Sequence, residues 1–455
     1  MKSIENNKLE RGLGLKEASA LNMIDMVGIG PFIVIPIVIQ EMNGPQCMLA
    51  WIAGAILATI DGFIWAELGA AMPKAGGSYF FLKEIYGRET WGRLMSFLFI
   101  WQTIIQAPLV VASGSIGFSQ YLTYLIPLSP IMQKAVSGLL ILILIVLLYR
   151  KITTVGKISL FLWIGVFGTI IWLIVGGVTH FNPKLAFDFP KDAFSFSWLF
   201  FAGLGNATVK TIYTYLGYYN VCHLGAEIKE PEVNIPRSIF ISIGGIAILY
   251  LLMQLSILGV VDWRTARSSQ FIVSTFVETI YGHAAASFAT VLILWIAFSS
   301  LFAVLLGYSR IPYAAAIDGT FFKAFGKIHP TKHFPYVSLL SLGLIAFVFS
   351  LLFRLREVIS AILAMRILVQ FIGQAAGIIY LRKRRPKEFF PFKMWLYPLP
   401  ALSAIVAWTA LFFSTGFYFA LGGAGFILVG TIVFLARSYI KKDWPFLIKT
   451  NETET

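Results

Sequence analysis

The chain is poor in acidic residues, histidine and cysteine: of 455 residues, 22 are Asp or Glu, 5 are His and 2 are Cys. Two cysteines, Cys47 and Cys222, do not make a zinc site, and a structural disulfide between them is not expected. No nucleophile with an adjacent base, no metal-ligating cluster and no glycine-rich phosphate loop in a strand context occurs, so an enzyme, a cofactor and ATP-driven work are not expected. Charge of either sign is scarce as well. Only 13% of residues are charged against 58% hydrophobic, and the mean hydropathy is +0.79, far from soluble composition. The net charge of +14 does not call for nucleic acid, because anionic inner-leaflet lipids attract basic loops by about 1 kcal/mol per residue.

What is abundant is apolar length. Runs of about 18 residues or more occur at 18–40, 48–71, 93–123, 132–149, 157–178, 196–227, 237–261, 286–315, 336–353, 356–381, 396–415 and 418–438. They predict an all-α integral membrane protein of twelve transmembrane helices, with both termini on one side. Lys and Arg decide which side. The loops on the terminal side hold Lys8, Lys74, Lys83, Arg88, Arg150, Lys151, Lys229 and the basic stretch 382–385, among others; the opposite loops hold only Lys134, Lys184, Lys191, Arg264, Arg267, Arg354 and Arg356. Both termini are therefore expected in the cytoplasm and the chain in the cell membrane. Residues 1–16 mix charges of both signs and the run that follows is too long for a signal-peptide core, so the first run is read as a true span.

That first run contains Gly28-Ile29-Gly30-Pro31 in its middle. Glycine favours non-helical dihedrals and Pro31 has no N–H, so the backbone should unwind at membrane depth, where only a cavity and its ligand can satisfy it. Freed N–H groups and a half-helix N-terminus suit a carboxylate; freed carbonyls suit an ammonium. A packing kink is the alternative for this run alone. The sixth run repeats the pattern: Gly217 is flanked by Tyr215, Leu216, Tyr218, Tyr219 and Asn220. Two matching breaks five helices apart predict an inverted repeat, 17–178 against 196–381, with a site between the halves. The remaining divisions are a cytoplasmic segment 1–16, helices 11 and 12 over 394–438 as scaffold or homo-oligomer surface, and a tail 439–455.

Ionisable residues at membrane depth are the other candidates. Asp25 and Asp61 stand as ion-coupling carboxylates, with structural pairing the alternative for Asp61. Glu67 is expected to pair with a loop Lys or Arg. Trp101, Gln102 and Gln106 read as interhelical glue. Arg366, followed by Gln370 and Gln374 at helical spacing, needs a carboxylate, for which Asp25 and Asp61 are the candidates, and would be a structural staple. His223 reads as a packing residue. Lys157 either snorkels to the interface or turns inward as a titratable ammonium, and position does not choose. Ser299 and Ser300 are small hydroxyls at depth that can back-bond to the preceding turn.

Three motifs, residues 65–79 (Trp-Ala-Glu-Leu-Gly-Ala-Ala-Met-Pro-Lys-Ala-Gly-Gly-Ser-Tyr), 225–239 (Gly-Ala-Glu-Ile-Lys-Glu-Pro-Glu-Val-Asn-Ile-Pro-Arg-Ser-Ile) and 306–319 (Leu-Gly-Tyr-Ser-Arg-Ile-Pro-Tyr-Ala-Ala-Ala-Ile-Asp-Gly), resemble those of the amino acid/polyamine/organocation superfamily of permeases. The resemblance implies the leucine-transporter fold. It further implies that Gly28, Ile29 and Gly30 receive a substrate carboxylate, that carbonyls around 215–218 receive its amino group, and that Tyr218 acts as an aromatic gate. Lys157 would occupy the place of a sodium ion and face Ser299 and Ser300. The helix-1 pattern Gly-Ile-Gly-Pro-Phe resembles that of polyamine-type members, but those carry an acidic residue where this chain has Tyr219. The expectation is thus a sodium-independent secondary transporter of neutral amino acids, by proton symport or exchange. A polyamine or cationic amino acid permease is the alternative. A non-transporting amino acid sensor is another, disfavoured because the short tail after Ile440 holds no output module.

Overall fold

The structure is a computed structural model that describes residues 9–352 and 358–446; Lys8, Arg354 and Arg356 of the charge count lie outside the described residues. The chain opens with α1 (Leu15–Met26) and α2 (Gly30–Met42) and continues through α3 (Met48–Ala71), the short α4 (Ser78–Ile85), α5 (Trp91–Leu122), α6 (Pro130–Leu148) and α7 (Ile152–Thr179). A second break separates α8 (Trp198–Tyr215) from the single turn α9 (Asn220–His223). Then come α10 (Pro231–Val260), α11 (Ile272–Tyr281), α12 (His283–Tyr308), α13 (Arg310–Ile317), α14 (Tyr336–Leu352), α15 (Val358–Arg366), a π-helical stretch Ile367–Ile372, α16 (Gly373–Arg384), α17 (Leu399–Ser414) and α18 (Phe417–Lys441). The described residues contain no strand, only isolated bridges between Leu13 and Ile228 and between Ala75 and Leu224.

Eight helices among the described residues are long and apolar enough to cross a membrane, and the pair α1–α2, bent by 45°, makes a ninth. The other three of the twelve apolar runs are not among these nine: α14 has 17 described residues, up to the edge of the described stretch, α17 has 16, and the run 196–227 is divided by its break, which leaves α8 with 18. Large apolar side chains such as Val146, Ile164, Leu421 and Ile432 stand exposed on the outside of the bundle, where a bilayer would cover them.

The broken helices lie inside. α1 packs against α7, α10 and α12, α2 runs along α8, and α3 lies along α8 and α10. Lipid offers no hydrophobic drive for helices to associate, so close approach through small residues has to supply it. A Cβ on Gly62 of α3 would come within 2.6 Å of Ile243, and one on Gly69 within 2.8 Å of Ile235 and Cys222.

Polar stitching completes the bundle. Glu67 finds its expected cation in Arg382, at 2.5 and 2.6 Å, and accepts from the Met394 amide at 2.7 Å. Glu227 and Arg310 form a two-pronged pair at 2.8 and 2.9 Å with side-chain exposures of 0% and 2%. The Glu227 carbonyl also takes the Gly12 and Leu13 amides, both at 3.0 Å, straps the N-terminal segment to the same end and leaves Lys229 N to donate to Leu13 at 2.8 Å. Trp101 donates to the Phe426 carbonyl and Gln106 to the Tyr308 hydroxyl, as interhelical glue should. The Gln102 amide has no partner among the described residues.

Candidate functional site

α1 ends because the chain from Val27 onward departs from helical geometry: Val27 has ψ 78°, and α2 restarts at Gly30 with Pro31 in its first turn, where a missing N–H costs nothing. α8 ends at Tyr215, Leu216 is extended with ψ 143°, and Gly217 has φ +129°, which only glycine adopts without strain. The two breaks touch. A Cβ on Gly217 would lie 2.7 Å from the Met26 amide nitrogen and 2.9 Å from the Asp25 carbonyl carbon, both rigid backbone atoms.

Carbonyls released by the breaks are met by side chains from α10 and α12. The Tyr250 hydroxyl donates to the Met26 carbonyl at 2.8 Å and to that of Thr214 at 3.2 Å, one from each break. The Ser300 hydroxyl donates to the Asp25 carbonyl at 3.2 Å, and a Cβ on Gly28 would sit 2.7 Å from that hydroxyl oxygen. Across the second break the Asn22 side chain accepts from the Val221 amide at 2.9 Å, and Asn220 donates to the Ala303 carbonyl at 2.9 Å. Nearly every freed backbone group named here is paired through a neighbouring helix, so the unwound chain is held open at a fixed shape.

Between the breaks lies a cavity of about 80 Å³, and Gly28, Ile29, Gly30, Leu216, Gly217, Tyr219, Asp25 and Ser300, all candidates from the sequence, line it. The other candidates are placed elsewhere. Tyr215 turns its hydroxyl to the Trp51 carbonyl at 3.3 Å, and Asn220 is spent on α12. Ser299 back-bonds to Trp295 at 2.7 Å. Tyr218, expected as an aromatic gate, is buried and donates to Asp61 at 2.5 Å; the aromatic lining comes instead from Tyr219, Tyr213 and Tyr308. Asp61 also accepts from Trp65 at 2.8 Å and from Trp408 of α17 at 3.1 Å, so it ties the second break to α3 and to the scaffold helix without touching the cavity.

Two expectations are corrected. Arg366 is not stapled to a carboxylate among the described residues: it donates to the Tyr219 hydroxyl and, at 3.0 Å, to Gln370, and it faces the cavity beside Asp25. Lys157 does not face Ser299 and Ser300. Its side chain is exposed, and its neighbour Gly156 packs on Leu13 and Glu17. Ser300 meets α1 at Asp25, eight residues or roughly 12 Å further along. Sequence position put Lys157 near the membrane boundary, and it is the offset in depth, with the exposure of its side chain, that removes it from Ser299 and Ser300. Tyr308 was visible inside the motif 306–319 and Arg366 as an intramembrane cation; nothing in the spacing marked Tyr213 or Thr214, which also line the cavity. His223 is enclosed by the rings of Trp65, Tyr219 and Tyr308.

The chain matches the amino acid permease family over residues 13–436. It is 26% identical over 437 residues to the cystine/glutamate transporter of Homo sapiens, covering 92% of this chain and 84% of the relative. It is 25% identical over 415 residues to a serine/threonine exchanger of Bacillus subtilis (strain 168), covering 88% and 90%. The branched-chain amino acid permease of Lactococcus lactis subsp. cremoris (strain MG1363) is 26% identical over 410 residues, covering 81% and 82%. A match that spans nearly the whole chain, on a bundle of membrane-length helices enclosing two broken ones, places this protein in the amino acid permease family of the amino acid/polyamine/organocation superfamily: it is a multi-pass membrane transporter of amino acids and not an enzyme.

Proposed function

We propose that this permease carries a neutral, zwitterionic amino acid by alternating access, without sodium, as a proton symporter or an exchanger. Twelve spans would form two inverted five-helix repeats with two further helices, and both termini would be cytoplasmic. The observation that carries the reading is the contact of Gly217 with Asp25 and Met26, which sets both breaks around one cavity. Amides at Gly28 to Gly30 and the α2 N-terminus would hold the carboxylate, and carbonyls at Leu216 and Gly217, with the Asp25 carboxylate, would hold the ammonium. Asp25 and Arg366 give the cavity one charge of each sign, which suits a zwitterion. The contact between α1 and α12 is filled by the Ser300 hydroxyl against Gly28 and the Asp25 carbonyl, a packing that favours transport without a cation at that place. With Lys157 exposed, Asp25 and Asp61 become the coupling candidates.

A cationic substrate, amino acid or polyamine, is the second reading. One observation favours it: the Asp25 carboxylate lines the cavity and receives no hydrogen bond from the described residues.

The test is purified protein in liposomes, with radiolabelled neutral, cationic and anionic amino acids and polyamines, with and without sodium, an inward proton gradient and internal amino acid. Sodium-free accumulation of a neutral amino acid that follows the gradient supports symport, and uptake that needs only internal amino acid supports exchange. Polyamine uptake alone installs the second reading; a strict sodium requirement removes the claim of independence.

A further inference from the structure

Arg366 is an intramembrane cation, 3% exposed, whose expected carboxylate partners are both otherwise engaged or out of bonding reach. Asp61 is occupied by Trp65, Tyr218 and Trp408. Asp25 shares the cavity but makes no ion pair with it among the described residues. What holds the guanidinium is neutral: the Tyr219 hydroxyl, the Gln370 side chain and the faces of Tyr219, Phe371 and Tyr308 at 5.2 to 5.9 Å. Neutral acceptors and ring faces position a guanidinium without cancelling its charge. Its field, opposed by the Asp25 carboxylate on the same cavity, therefore reaches whatever enters it.

We propose that Arg366 is the charge filter of this permease: it admits amino acids with neutral or acidic side chains and rejects those with a cationic side chain. The inference rests on the amino acid reading of the site and adds the residue that sets its charge preference. A zwitterion places its ammonium against Asp25 and the freed carbonyls and presents no further positive charge. An ornithine-like side chain brings a second ammonium into the same small cavity as the guanidinium. At a separation near 6 Å and an intermediate effective dielectric the repulsion is worth roughly tenfold to a hundredfold in affinity. Tyr219 is part of the device, because its hydroxyl stands where the arginine must be anchored.

The experiment uses full-length protein in liposomes and two labelled substrates, ornithine and its uncharged isostere norleucine. Wild type should take up norleucine and not ornithine. Arg366→Gln should raise the ornithine-to-norleucine uptake ratio by about tenfold or more, and Arg366→Lys should keep the wild-type ratio. A gain of ornithine transport cannot come from misfolding. Should Arg366→Gln not insert, competition on wild type decides: norleucine must displace the neutral substrate at concentrations where ornithine does not. Equal competition by the two, or an unchanged ratio in an active Arg366→Gln protein, overturns the filter while leaving amino acid transport intact. Wild-type liposomes that move no amino acid at all remove the reading beneath it, and the filter with it.

Discussion

Gly217→Ala is the substitution by which the geometry of the two breaks is most directly judged. The residue has φ +129°, where an L side chain is strained by about 1–3 kcal/mol. Its new Cβ would stand 2.7 Å from the Met26 nitrogen and 2.9 Å from the Asp25 carbonyl carbon, and overpacking against atoms that cannot rotate away adds about 1–3 kcal/mol. Even the low end of the sum, about 2 kcal/mol, displaces this arrangement roughly 30-fold. Three glycines calibrate it. Gly28→Ala meets Ser300 Oγ at 2.7 Å and Ser300 Cβ at 3.1 Å; rotating the hydroxyl away sacrifices its bond to Asp25, about 1 kcal/mol, and leaves a tight contact with the Cβ that a shift of a few tenths of an ångström relieves. Gly30→Ala makes only ordinary contacts, at 3.5 Å and beyond, and Gly244→Ala on α10 meets nothing within 4 Å. The expected order of damage is Gly217 over Gly28 over Gly30, with Gly244 harmless, read as initial uptake rate per inserted protein in liposomes and as the midpoint of thermal unfolding in detergent. Wild-type uptake by Gly217→Ala, or equal damage at Gly217 and Gly30, would refute the proposed contact between the breaks.

Three further outcomes follow from other parts of the molecule. Arg310→Ala should destabilise the protein by about 3–5 kcal/mol, because it leaves the Glu227 carboxylate buried without its cation; a thermal midpoint unchanged within error would show that pair to be dispensable. Asp61→Asn puts an amide N–H among three donors, Trp65, Tyr218 and Trp408, at a cost of about 1–3 kcal/mol. If Asp61 carries the coupled proton, gradient-driven accumulation should vanish while exchange persists, so equal loss of both would make its role structural only. Lys157→Ala should leave uptake and its pH dependence at wild-type levels, since the ammonium is exposed; loss of pH-dependent accumulation in an inserted protein would return Lys157 to the mechanism.

The breaks were readable in the sequence because glycine and proline in an apolar run have a direct backbone consequence, visible without any neighbour. What rotates with the helix was not. Lys157 turns its side chain outward from α7 and sits nearer the membrane boundary than Ser300 does. Arg366, Gln370 and Gln374 have α-helical spacing, and a regular helix would place them in one row; the π-helical stretch Ile367–Ile372 widens the turn and shifts that register. Gln370 keeps the i,i+4 bond to Arg366 that a regular helix also allows, whereas the Gln374 amide, beyond the widened turn, has no partner among the described residues. Tyr218 lies outside the cavity for a related reason, since from Leu216 to Tyr219 the chain follows no helical period. The apolar runs at 336–353 and 396–415 marked real helices; α14 follows its run through Leu352, the last described residue there, whereas α17 is shorter than its run suggested.

The shared hydroxyl of Tyr250 has a mechanical consequence. Carbonyls of Met26 and Thr214 hang on one oxygen, like two doors on a single hinge pin. Neither half-helix can swing without reloading the other's bond, so the pieces on either side of the cavity are geared together, and the axle that gears them belongs to α10, outside both breaks.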